Sequence, residues 1–316
     1  MKSTRFITPL FGGSILFLAL FTYRPAFCRP PETTSATQQL SIRDGFFTTD
    51  DGIRIHYLCA GRMTAKAPIV FIPGWRLTAS LWQEQLQVFS VDRLVIAIDS
   101  RSQGDSSVAL FGNTPERRAR DLHELMARRQ ISRFVVVGWS QGVQDVAAYV
   151  QEYGTASLAA IAFVDSPVSH GAQEIVDHKE SSQAALSRLE GYELDPAEYA
   201  AGMVRSIFRK PHSESFIQHV ISQAEKTPPS IAVAMLATDL FGKDRRPALK
   251  EIDCPTLVIA SASSPLLETE KEMAESIPGA RWFVVPGAGH ALFVDDPEVF
   301  DDHLALLLKA ADRLSS

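Results

Sequence analysis

Residues 134–144, Phe-Val-Val-Val-Gly-Trp-Ser-Gln-Gly-Val-Gln, constrain the fold of this chain more than any other stretch. A β-branched run ends in Gly138-Trp139-Ser140-Gln141-Gly142, and a helix-like pattern (Val146, Ala147, Tyr149, Val150) begins at once. Strand, sharp turn and helix in immediate succession are the setting of a nucleophile elbow, G-x-S-x-G. Small residues two before and two after Ser140 let the backbone turn tightly. A serine hydroxyl is a weak nucleophile until a base lies within reach and the chain lifts it clear of the sheet. Ser140 is therefore the first candidate catalytic residue.

The same alternation extends along most of the chain. Phe46–Thr49 and Ile53–Leu58 flank the turn signal Asp50-Asp51-Gly52. Apolar runs at Ile69–Ile72, Leu94–Ile98, Phe134–Val137, Ala159–Val164, Leu257–Ile259 and Trp282–Val285 read as strands. Helical spacing falls between them, as in the stretch opened by Thr114-Pro115-Glu116, with Thr114 as N-cap. Strands alternating with helices imply an α/β protein with a mostly parallel, doubly wound sheet. From 166 to 250 no strand is expected, and Tyr199–Phe208 and Phe216–Ala224 read as helices. We therefore expect a core of residues 42–165 and 251–316, interrupted by a helical cap at 166–250.

Residues 1–28 carry Lys2, Arg5 and Arg24 and no acid, around the apolar run Ile15–Phe21. They read as a secretory signal peptide ending near Ala26-Phe27-Cys28, or as an uncleaved N-terminal anchor, with a linker over 29–41. The expected location is secreted or periplasmic, with membrane attachment only if the segment is retained. The net charge of −6 and the lack of a basic stripe argue against nucleic-acid binding. Cys59 and Cys254 read as small buried hydrophobes rather than as a disulfide, and no Cys/His cluster has zinc spacing.

His290, in Pro286-Gly287-Ala288-Gly289-His290, is the best candidate base. It follows the last strand on a glycine-flanked loop, and strand ends are where such sheets bind ligands. The remaining histidines, at 56, 123, 170, 178, 212, 219 and 303, read as packing or surface residues.

Taken together, Phe71-Ile72-Pro73-Gly74-Trp75, Asp99 to Ser106, the Ser140 elbow and Gly289-His290 followed by Asp295-Asp296-Pro297 occur in an informative order. With it, residues 45–165 and 255–308 resemble the α/β-hydrolase superfamily, in its esterase/lipase-like branch with a helical cap. The resemblance implies a triad ordered serine, acid, histidine. In most such families the acid follows the strand matching Leu257–Ile259. Here that loop is Ala260-Ser261-Ala262-Ser263-Ser264-Pro265, with Ser264 at the matching position. In some families related to the haloalkane dehalogenases the acid sits one strand earlier, and there this chain has Asp165. We assign Asp165 to orient His290. A strand-end aspartate that merely caps a turn, Glu268 and Glu270 are the alternatives. A serine at position 140, rather than an aspartate, argues against dehalogenation.

The resemblance also implies an oxyanion hole from the backbone N–H groups of Trp75 and Gln141. It gives Asp99 to Ser106 a structural role only. Arg76 reads either as a contact for a substrate carboxylate or phosphate, or as a solvated or paired residue. Phe208, Phe216 and Phe241 read as acyl-pocket or cap-packing residues. The expectation is a serine hydrolase acting on a small carboxylic ester or related acyl substrate, without metal or organic cofactor. The alternatives are a C–C bond or lactone hydrolase, a perhydrolase, or a non-catalytic binding protein.

Overall fold

Eight strands form a single sheet in the computed structural model, which describes residues 41–314. They are β1 (Arg43–Thr48), β2 (Arg54–Ala60), β3 (Ile69–Ile72), β4 (Val95–Ile98), β5 (Phe134–Trp139), β6 (Leu158–Val164), β7 (Thr256–Ser261) and β8 (Arg281–Val285). Their spatial order is β1-β2-β4-β3-β5-β6-β7-β8. The β1–β2 and β2–β4 pairs are antiparallel, and the pairs from β4 to β8 are parallel. The expected signal or anchor segment, and the linker through residue 40, lie outside the described residues.

Every residue of β3 to β7 is buried. This is why those strands read as unbroken apolar runs rather than as alternating ones: helices cover both faces of a parallel sheet. On one face Trp82 stacks on Phe293 with centroids 3.6 Å apart, beside Phe300, Leu304 and Leu307 of the helix Pro297–Arg313. On the other, helices Pro115–Arg128 and Gln141–Tyr153 pack Leu122, Leu125, Val146 and Tyr149 against the sheet. The hydroxyl of Thr114 accepts from the Arg117 N–H at 3.3 Å, the expected N-cap.

Between β6 and β7 the described chain is helical, apart from an isolated bridge between His170 and Asp244. Four longer helices stand there: Lys179–Leu194, Pro196–Ser206, Glu214–Ala224 and Pro229–Phe241. One buried charge cluster fastens the last of them to the core. Arg118 reaches Asp145 at 2.8 Å on the elbow helix and Asp239 at 2.5 Å on the inserted helix. Burial raises both carboxyls above the ordinary range, because two acids share one guanidinium away from water. Removing one member of such a cluster strands the others, and costs about 3–5 kcal/mol. Cys59 and Cys254 are free thiols; Cys59 is buried as expected, and Cys254 is half-buried, its thiol pushed up to about 11 by that burial.

Candidate active site

The ends of β5 and β6 and the loop after β8 bring the candidate residues together. At the end of β5 the Ser140 N–H donates to the Val164 carbonyl at 3.0 Å, so the serine still belongs to the sheet. Its backbone then turns to φ 54° and ψ −115° before the helix Gln141–Tyr153 begins. A non-glycine residue at positive φ costs about 1–3 kcal/mol. The glycines on either side explain how the turn closes. A Cβ on Gly138 would lie 2.4 Å from the Gly142 carbonyl oxygen, and one on Gly142 would lie 2.8 Å from the Ile72 carbonyl oxygen.

One strand over, Asp165 continues β6 in the same way. Its N–H donates to the Ile259 carbonyl at 2.9 Å, and its φ is 50°. That turn directs the side chain across the sheet end. Oδ1 accepts from the Ser261 N–H at 2.5 Å, and Oδ2 lies 2.7 Å from His290 Nδ1. An ionised carboxylate can only accept, so Nδ1 donates and the lone pair stays on Nε2. The Asp165 side chain is 2 % exposed and that of His290 34 %. The carboxylate is sealed behind the imidazole, and the imidazole is open to the cavity. Neither alternative acid makes such a contact: Glu268 is exposed, and the fully buried Glu270 accepts from Ser264 Oγ at 2.5 Å. Burial, with the nearby Asp165 charge adding to it, pushes the Glu270 carboxyl up to about 8.

Ser140, Asp165 and His290 line one cavity of about 500 Å³, together with Trp75 and residues of the inserted helices such as Tyr199, Met203 and Leu236. Two backbone donors stand beside Ser140. Gln141 opens its helix, so its N–H has no partner within that helix. Gly74 passes so close that a Cβ on it would lie 3.1 Å from Ser140 Cβ, which brings the following Trp75 to the serine. The Trp75 indole donates to the Ala232 carbonyl at 2.8 Å, tying this loop to the inserted helices. Phe208 lines the cavity, Phe241 lines an adjoining one of about 240 Å³, and Phe216 packs against Phe208 with centroids 5.6 Å apart.

Arg76 departs from both sequence readings. It is 1 % exposed and forms no ion pair among the described residues. Its guanidinium lies 4.4 Å from the Tyr192 ring centroid, and burial lowers its pKa. The aromatic face substitutes for a carboxylate.

Two positioning groups escaped sequence reading. Gln103 donates through Nε2 to the Gly74 and Leu77 carbonyls at 3.1 and 2.8 Å and accepts from the Arg76 N–H at 3.2 Å, so it braces the loop carrying Trp75. Asp295 accepts from the N–H groups of Gly289 and Arg209, both at 2.7 Å, and lies 2.9 Å from His212 Nε2. It therefore fixes the His290 loop against the inserted segment. Gln103 reaches partners 26 to 29 residues away, and Asp295 reaches Arg209 86 residues away, so no local pattern marks either role.

His219 is exposed, and the remaining histidines have partners of their own. His56 bridges Asp99 and Asp44, His123 stacks on Tyr153, and His303 stacks on Phe283. His170, Glu174 and His178 bring ligand atoms within 4.8 Å of one another, a spacing open to a divalent metal. In this state His178 Nδ1 lies 2.6 Å from Glu174, and His170 Nδ1 lies 3.2 Å from Asp177.

Residues 69–303 match the alpha/beta hydrolase family, and the chain belongs to it. It is 27% identical over 274 residues to a non-heme chloroperoxidase of Kitasatospora aureofaciens, covering 81% of this chain and 96% of that one. It is 24% identical over 283 residues to a bifunctional esterase/perhydrolase of Acinetobacter calcoaceticus, covering 84% of this chain and all of the relative. Among solved structures, the bromoperoxidase of Bacillus anthracis superposes with a TM-score of 0.75 at 25% identity, over 84% of this chain and 100% of that one.

Proposed function

We propose that this protein is a serine hydrolase that cleaves a carboxylic ester or related acyl substrate through an acyl-enzyme on Ser140. The observation that carries the reading is the 2.7 Å contact between His290 and Asp165 in a cavity that Ser140 also lines. Ser140 Oγ attacks the carbonyl carbon while His290 Nε2 takes its proton. Asp165 holds the ring in the tautomer that leaves Nε2 free, and stabilises the imidazolium. The oxyanion rests on the N–H groups of Trp75 and Gln141, where each donor is worth about 2.7–4 kcal/mol in the transition state. The intermediate collapses, and His290 returns its proton to the departing alcohol. Water then gives a proton to His290 as it attacks the acyl carbon, and the acid is released with Ser140 restored.

A fluorophosphonate probe should label the protein stoichiometrically, and Ser140→Ala should abolish labelling. The same variant should lose about 10⁶-fold in kcat on a p-nitrophenyl ester. Labelling that persists in Ser140→Ala overturns the reading. The names of the chloroperoxidase and esterase/perhydrolase relatives favour a second use of the acyl-enzyme. Hydrogen peroxide would attack it in place of water and leave as a peracid. Peracid formation from acetate and peroxide, dependent on Ser140, would support that branch; its absence during rapid ester turnover would exclude it.

A further inference from the structure

The acyl cavity carries a charge pattern that the proposed chemistry does not use. Two cations line it, Arg188 from the helix Lys179–Leu194 and Arg209 from the segment after the helix Pro196–Ser206. The one carboxylate in the lining is Asp165, already engaged by Ser261 and His290. Neither arginine forms an ion pair among the described residues. Arg188 Nε donates to the Ala184 carbonyl at 3.3 Å, and Arg209 is held through its backbone N–H by Asp295. Glu174, in the adjoining cavity that Arg188 also lines, is taken up by His178 and by the His170 N–H.

A solvated surface arginine is ordinary. Two that line one cavity, with no free acid in its lining among the described residues, in a chain of net charge −6, form a local field opposite in sign to that of the whole. Both guanidinium-bearing residues are exposed, whereas Met203, Phe208 and Leu236 line the cavity as apolar wall. A guanidinium is planar and weakly hydrated, and presents paired donors that match a carboxylate. Resting on the hydrolase reading, we propose that the preferred substrate is an ester or related acyl compound with an apolar body and a carboxylate. Ser140 takes the acyl carbon, and Arg188 and Arg209 receive the carboxylate at the cavity mouth.

The test compares a p-nitrophenyl hemiester of a dicarboxylic acid with its methyl-capped neutral counterpart. The wild type should favour the anionic ester in kcat/KM, and the preference should weaken as salt rises from about 0.02 to 0.5 M, where screening becomes short-ranged. In Arg188→Gln/Arg209→Gln the anionic-to-neutral ratio should fall about tenfold, as expected from two exposed charge contacts. Arg188→Lys/Arg209→Lys should restore part of it. No preference in the wild type, or one that survives the double glutamine variant, overturns the proposal. Calorimetry of Ser140→Ala with the amide isosteres of both esters reads the same charge preference without turnover. A charge preference in binding without ester cleavage would therefore count against the hydrolase reading alone.

Discussion

The loops that follow β6 and β7 lie side by side at the same end of the sheet, and they divide the work unequally. The β6 loop presents Asp165, whose carboxylate meets His290. The end of β7 and its loop present Ser261, Ser263 and Ser264, and Glu270 on the following helix accepts from Ser264 instead of meeting His290. Yet the serine loop is not idle. The Ser261 N–H supplies the second anchor of Asp165, and Ser263 Oγ donates to the Ala288 carbonyl just before the His290 turn. Neighbouring parallel strands are about 4.8 Å apart. An acid can therefore move over by one strand and still reach the same imidazole, provided the vacated loop becomes its donor.

This division can be broken experimentally. Asp165→Asn should lower kcat by about 10⁴-fold with folding intact, since the amide favours the wrong histidine tautomer. Ser264→Ala, at the position where an acid was expected, should change kcat by less than about threefold, as for removal of one neutral hydrogen bond outside the reacting groups. Ester kinetics on purified variants measure both, and equal losses would dissolve the distinction between the loops.

A smaller effect concerns Glu270. Its folded pKa of about 8 lies above the ordinary value of about 4.3, so the folded state holds the proton more tightly. The stability that this provides is fully present below about pH 4.3, and is lost as the pH rises through about 8. The unfolding midpoint should therefore fall between pH 5 and 8, and Glu270→Gln should flatten that slope in calorimetric scans. An unchanged slope would mean that Glu270 ionises freely behind the site.

Much of the fold was legible because burial writes itself locally. Strands covered on both faces must be continuously apolar, as Val135–Val137 and Ala159–Val164 are, and the glycines around Ser140 mark a turn that larger residues would block. His290 was legible from its glycine-flanked place after the last strand. The assignment of Asp165 came from resemblance, with Glu268 and Glu270 still open, since all three follow strands on the same end of the sheet. Arg76 was misread because an unpaired arginine is ordinarily solvated, and the Tyr192 ring that covers it comes from more than a hundred residues away.

By itself, then, the sequence determined the alternating α/β architecture, the elbow at Ser140 and the histidine at the last strand end, because each depends on residues close together in the chain. Only the tertiary structure decided which carboxylate reaches His290, that Gln103 and Asp295 brace the loops carrying Trp75 and His290, and that two arginines with no ion pair among the described residues share the cavity. Those relations join positions up to 125 residues apart. They follow from strand order and register, which no local periodicity encodes.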